Sequence, residues 1–116
     1  MFQMKLVNKT KNRVVAEEIG IAVTFMQKTV GLLHTKEPAS LFLKTRFGIH
    51  TTGMHLPIDC AVLDADFKVS AVRENIKPGH FFFWNPKFNN VIELPAGTLL
   101  RTETTLGDIL ALEAGL

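Results

Sequence analysis

The stretch FGIHTTGMHLPIDCAVLDADFKV, residues 47–69, decides how the rest of the chain is read. Side chains along a strand alternate between its two faces. Phe47, Ile49 and Thr51 share one parity, and Met54, Leu56 and Ile58 share the other. The apolar face therefore switches near Thr52-Gly53, which predicts a bulge or bend there that glycine accommodates. Pro57 has no ladder donor to give, so the strand should be broken or at an edge at that point. Residues 58–63 are almost continuously apolar, as in a strand buried on both faces. Asp64-Ala-Asp66 reads as a turn, and residues 68–76 as a strand pairing back on 58–63.

Working outward, residues 2–7 alternate Phe2, Met4 and Leu6 against Gln3 and Lys5, a strand pattern. A polar turn follows at 8–12 and a return strand at 14–18, so the chain opens with a hairpin. Thr24 and Gln27 have the spacing of a capping box. Met26, Val30 and Leu33 then fall on one helical face, which predicts a short helix at 25–33. Residues 41–44 form a short strand. Residues 77–80 form a loop, 81–84 an aromatic run, 85–90 a second loop and 91–94 a strand. After the turn Pro95-Ala-Gly97 comes a helical turn at 98–102, then a last strand at 109–113. About seven strands and one short helix make a mostly β (α+β) fold. The expected architecture is a compact barrel-like or sandwich-like single domain over residues 1–116.

Composition sets bounds on function. An apolar fraction of 47% and a charged fraction of 21% belong to a folded globular chain. The net charge is +2. Residues 1–58 carry 8 Lys/Arg and 3 Asp/Glu, residues 59–116 carry 5 and 8. Much of the basic excess is in Lys5, Lys9, Lys11 and Arg13. No helix-turn-helix or RNA-binding aromatic motif accompanies it, so nucleic acid is disfavoured as a partner. Cys60 is the lone cysteine, which excludes an intrachain disulfide and a cysteine zinc site. No run approaches the length of a membrane span, and no signal-like segment opens the chain. The expected location is cytoplasmic.

Residues 48–69 resemble the central signature of domain-of-unknown-function family 192, His-Thr-x-x-Met-x-x-Pro-Ile-Asp followed by an apolar strand and an Asp-x-Asp turn. His50, Thr51, Met54, Pro57, Ile58, Asp59, Asp64 and Asp66 carry the match. Gly31-Leu-Leu33, Val91-Ile-Glu-Leu-Pro-Ala-Gly97 and Gly107-Asp108 match outlying pieces in order. The chain departs at His50 and Gly53, where many members have Trp and Asn. It also lacks the arginine usual near the Gly-Leu pair, which Lys28 and His34 flank instead. The resemblance implies a small barrel-like β domain with a short helix. It implies a link to secretion or envelope processes, by gene neighbourhood, and no activity.

Chemistry concentrates in His50, Thr51, His55 and Asp59. A histidine oriented by a carboxylate can act as acid or base near neutral pH. The same residues can instead satisfy backbone groups at an irregular strand, with Asp59 accepting buried N–H groups. No complete catalytic set is present. A metal site would need three or four converging ligands from His34, His50, His55, His80 and Asp59, without a supporting spacing motif. Neither a metal nor another cofactor is expected. Cys60, inside an apolar strand, reads as inert packing. The run Phe81-Phe-Phe-Trp84 cannot place all four rings on one face. Either both faces are covered or some rings are exposed as a binding surface or a homodimer contact. The leading expectation is a non-enzymatic module for a small ligand or extended peptide. Its site would comprise His50, Thr51, His55, Asp59, Glu74, His80 and Trp84. The alternatives are a small hydrolase-like or metal-assisted enzyme using His50 and Asp59, and a self-association unit.

Overall fold

In the computed structural model, which describes residues 4–22 and 40–115, the alternation at the start of the chain becomes an antiparallel hairpin. β1 (Met4–Asn8) pairs with β2 (Arg13–Ala22) across the polar turn. The helix expected at 25–33, with the Gly31-Leu-Leu33 match, lies outside the described residues. β3 (Leu41–Lys44) runs parallel to the end of β2. β4 (Gly48–His50) leaves the sheet, and β5 (Ile58–Leu63) rejoins it. β6 (Val69–Ile76), β7 (Phe81–Phe83), β8 (Asn90–Pro95) and β9 (Leu110–Ala114) complete the strands. Seven of them form one sheet in the order β6-β5-β8-β3-β2-β1-β9, while β4 and β7 form a separate antiparallel ribbon.

The seven-stranded sheet curls into a half-barrel. Its two outermost strands meet at one end through an antiparallel bridge between Lys68 and Ile109. There the Val69 N–H donates to Asp108 O at 2.8 Å and the Leu110 N–H to Phe67 O at 2.9 Å. Asn8 and Asp108, both buried, lock the same end. The Asn8 amide donates to Asp108 Oδ2 at 2.8 Å and to Thr104 Oγ1 at 3.1 Å, and Lys11 Nζ reaches Asp108 Oδ2 at 3.0 Å. The expected helical turn forms at Thr98–Arg101, in the link from β8 to β9, and sends Leu99 into the interior.

Strand alternation sorts the apolar residues into two layers. Leu6, Ile19, Phe42, Ala61, Leu63, Ile92, Leu94 and Leu110 fill the inside of the half-barrel. Leu41, Leu43, Ile58, Cys60, Val62 and Val91 point the other way and pack with Ile76 and Phe82. β5 is thus covered on both faces, and all six of its residues are buried, Asp59 included, as its almost continuous apolar run predicts. Phe82 comes from the ribbon, so the ribbon is the cover on the outer face of the sheet.

The parity switch at Thr52-Gly53 has a different cause from the one expected. Residues 47–58 are not one bent strand. β4 ends at His50, the chain turns at Thr52-Gly53 with Gly53 at φ 85, and β5 starts at Ile58. The apolar face switches because β4 belongs to the ribbon and β5 to the sheet. A bulge does exist, but in β6. The register passes from Cys60↔Arg73 to Ile58↔Ile76, so β6 holds one residue more than β5 over that interval. Asn75 within it is in the left-handed region at φ 54, which asparagine tolerates better than most residues.

Candidate functional site

The ribbon aligns Gly48 with Phe83, Ile49 with Phe82 and His50 with Phe81. Two residues face in: Ile49 and Phe82 pack on the outer layer of the sheet. His50, Phe81 and Phe83 face out. Phe81 is 59% exposed and Phe83 67%, and their rings stack at 5.6 Å with planes 8° apart. The His50 ring lies 6.1 Å from Phe81. Phe83 spreads over the backbone of Gly48. A Cβ at Gly48 would come within 2.5 Å of Phe83 Cδ1 and 2.6 Å of Phe82 O, so glycine alone fits.

Phe47 precedes β4 at the Phe83 end of the ribbon, where its carbonyl accepts the Trp84 N–H at 2.8 Å, and is 65% exposed. It sits at φ 74, and the Gly48 N–H donates to Arg46 O at 2.9 Å across it. That is a three-residue γ-turn with its central residue at positive φ, a strained conformation for a bulky side chain. The strain holds a phenylalanine out to water without burying it. Such outliers gather at functional sites.

Thr51 is fully buried beneath the ribbon. Its hydroxyl donates to Lys77 O at 2.6 Å and accepts the His80 N–H at 2.9 Å, while its own N–H donates to His80 O at 2.9 Å. Thr51 therefore pins the Lys77–His80 loop to the end of β4. His80 is exposed, with Nδ1 3.1 Å from both Lys77 O and Pro78 O. Trp84 is half-buried. Its Nε1–H donates to Phe88 O at 2.9 Å and its ring lies 5.4 Å from that of Phe82. His55 is exposed in the link between β4 and β5.

Asp59 lies elsewhere. Its carboxylate points into the half-barrel and is fully buried. Oδ1 accepts the Asn75 N–H at 2.9 Å and Oδ2 the Leu99 N–H at 2.9 Å. The first bond satisfies an amide within the β6 bulge, and the second anchors the helical turn. His50 is exposed on the ribbon and shares no hydrogen bond with Asp59. The base–orienter pair required by the enzyme alternative is not formed. Glu74 is exposed in the bulge and faces a third place, a cleft of about 570 Å³ lined also by Val72, Leu99, Leu100, Glu103 and Leu106. The structure thus brings His50, Thr51, His80 and Trp84 together around the ribbon and sets Asp59 and Glu74 apart from them.

Among the described residues no three His, Cys, Asp or Glu side chains gather as metal ligands, and His34 lies outside them. Burial pushes the Cys60 thiol well above its ordinary pKa, and the nearby charges of Glu93 and Asp59 add to the effect. A thiol held in that state is a poor nucleophile.

Charge distinguishes the ribbon end from the rest of the chain. Residues 45–57 and 77–89 hold Arg46, Lys77, Lys87 and three of the four histidines, with no Asp or Glu. The other residues carry 10 Lys/Arg and all 11 acids. Phe47, Arg46 and Lys87 are not among the residues expected at the site. Their signal was the missing acids in two segments far apart in the chain, which only the pairing of β4 with β7 brings together.

These features define a β half-barrel domain that carries a two-stranded aromatic ribbon on its outer face. Residues 6–112 match the model of domain-of-unknown-function family 192, described as "Uncharacterized ACR". The chain belongs to that family. Among curated proteins none matches it. Three crystal structures are similar in fold. One, from Sinorhizobium meliloti and described as a candidate transcription regulator, is 21% identical. It superposes with a TM-score of 0.79 over 97% of this chain and 92% of that one. A protein of unknown function from Novosphingobium aromaticivorans is 14% identical, with a TM-score of 0.77 over 94% and 83%. A candidate exported protein from Burkholderia pseudomallei is 16% identical, with a TM-score of 0.51 over 97% of this chain and 26% of that one.

Proposed function

We propose that this domain is a non-enzymatic binding module whose ligand docks on the outer face of the β4/β7 ribbon. One observation carries the reading. Phe47, Phe81 and Phe83 are held out to solvent at 65%, 59% and 67% exposure on one small ribbon. Contiguous exposed apolar surface on a folded domain marks an interaction site. His50 and His80 supply polar groups beside these rings, and His55, exposed in the link to β5, adds a third imidazole for the ligand. Thr51 and Trp84 act from behind, holding the loop and the ribbon in place. Asp59 supports the half-barrel, and Glu74 belongs to the separate cleft. A ligand with apolar groups and negative charge suits the face, because the segments that build it contain no acid.

The link to secretion or envelope processes stays with this reading as a proposal. A similar structure described as a candidate exported protein supports it. The buried lone thiol of Cys60 fits the cytoplasmic alternative equally well. Among the described residues no helix is long and apolar enough to cross a membrane.

The reading is tested by mapping amide shifts of the labelled protein during a titration with a library of small anionic and aromatic fragments. Shifts should cluster at residues 46–51 and 77–84. Shifts at Val72, Glu74, Leu100 and Leu106 instead would move the site to the cleft. A face that stays silent, or a solution mass that doubles and reverts in Phe83→Ser, would replace ligand binding by self-association or by no function at this surface.

A further inference from the structure

We infer that the ribbon face docks on an anionic lipid surface, with Phe47, Phe81 and Phe83 entering the headgroup layer and Arg46, Lys77 and Lys87 at the phosphates. The inference rests on the ribbon being the binding face and names its partner.

Charge complementarity supplies the first argument. Cations stand at both ends of the aromatic row. Lys77 lies in the loop that Thr51 pins beside His50 and Phe81. Arg46 and Lys87 lie at the Phe83 end, where the Arg46 guanidinium donates to Pro86 O at 2.7 Å and Lys87 Nζ sits 5.2 Å from the Phe88 ring. A guanidinium has five N–H donors, so that bond leaves others for phosphate. No acid from either segment opposes them. Each Lys or Arg held at an anionic bilayer strengthens binding about fivefold.

Shape supplies the second argument. Phe81 and Phe83 stack on each other, so each covers the other's inner face. Sequence-tolerant binding of single-stranded nucleic acid uses open ring faces on which bases lie, and this pair offers no slot between its rings. A row of ring edges does suit shallow insertion among acyl chains and headgroups. Phe47, exposed on its γ-turn, adds a third ring at the Phe83 end of the ribbon. Ile49 and Phe82 fix the ribbon on the sheet beneath, so the three outer rings need little ordering on contact.

The experiment is co-sedimentation of the full chain with vesicles of equal phosphatidylcholine and phosphatidylglycerol, beside vesicles of phosphatidylcholine alone. At 0.1 M NaCl the partition coefficient should be at least tenfold higher on the anionic vesicles, with most of that difference lost at 0.5 M NaCl, where screening is short-ranged. Lys77→Glu with Lys87→Glu should lower it at least tenfold. Phe81→Ser with Phe83→Ser should do the same, with thermal melts confirming that both variants fold. Absence of binding to anionic vesicles overturns the lipid inference, as does tighter binding to a single-stranded oligonucleotide through the same ribbon. If fragments still shift the ribbon amides in those cases, the binding-face reading survives. Vesicle binding that is unchanged in both double variants overturns the two together.

Discussion

Asp59 shows how one side chain can hold two distant pieces of backbone. It joins the amide of Asn75, in the β6 bulge, to that of Leu99, at the start of the helical turn. Each buried amide left without a partner costs about 1–3 kcal/mol. Asp59→Ala should therefore lower unfolding free energy by about 4 kcal/mol, and Asp59→Asn, which keeps one acceptor oxygen, by about half that. Urea melts measure both; a loss under 1 kcal/mol in the alanine variant would refute the role. Asp108 gives a pH dependence. Burial alone would raise its carboxyl, but hydrogen bonds from Asn8 and the Thr105 N–H, together with Lys11, outweigh it and hold the pKa below the ordinary 3.8. A carboxylate depressed in the folded state contributes stability above its unfolded pKa. That contribution should fade as pH drops from about 4 through the lower folded value. In Asp108→Asn the acid limb of a stability–pH profile should flatten; an unchanged limb would assign acid sensitivity to other groups.

At the level of elements, alternation made most strands legible from sequence. The opening hairpin, β3, the doubly covered β5, its return strand β6 and the turn at Thr98–Arg101 stand where the pattern put them, except that β2 runs past the expected residue 18 to Ala22 and there pairs with β3. The pattern gave the face of each strand but not the sheet it joins. The parity switch at Thr52-Gly53 therefore read as a bend when it is a passage between two sheets. The aromatic run shows the same limit. Its alternation required either double cover or exposure, and the choice depended on β7 pairing with the three residues of β4 rather than entering the main sheet. Asp59 was legible as an acceptor for buried amides, whereas the position of the bulge it serves was not. Gly48 tests the ribbon as a unit. Gly48→Ala would force its Cβ into the Phe83 ring and Phe82 O, and overpacking of this kind costs about 1–3 kcal/mol. A thermal melt should record that loss, and faster amide exchange should be confined to β4 and β7. A melt that matches the parent chain would show that Phe83 does not lie over Gly48.

For the whole molecule, the half-barrel separates duties by place. The end where β6 meets β9 is locked by buried polar bonds around Asn8 and Asp108, while the outer face at the ribbon is left cationic and aromatic. Charge reversal at Lys77 and Lys87 should accordingly leave the melting temperature within about 3 °C of the parent, because exposed charges contribute little to stability. A larger drop would mean that the cationic face is part of the scaffold. The pairing of β1 with β9 has a consequence in time as well as in space. Met4 lies beside Ala114 and Asn8 beside Leu110. During synthesis β1 emerges long before β9 and has to wait for it before its second edge is paired. Contacts that close over such long sequence separations form slowly. The outer edge of β1 should stay open until residues 110–114 arrive, and a chain ending at residue 108 should show no cooperative unfolding transition.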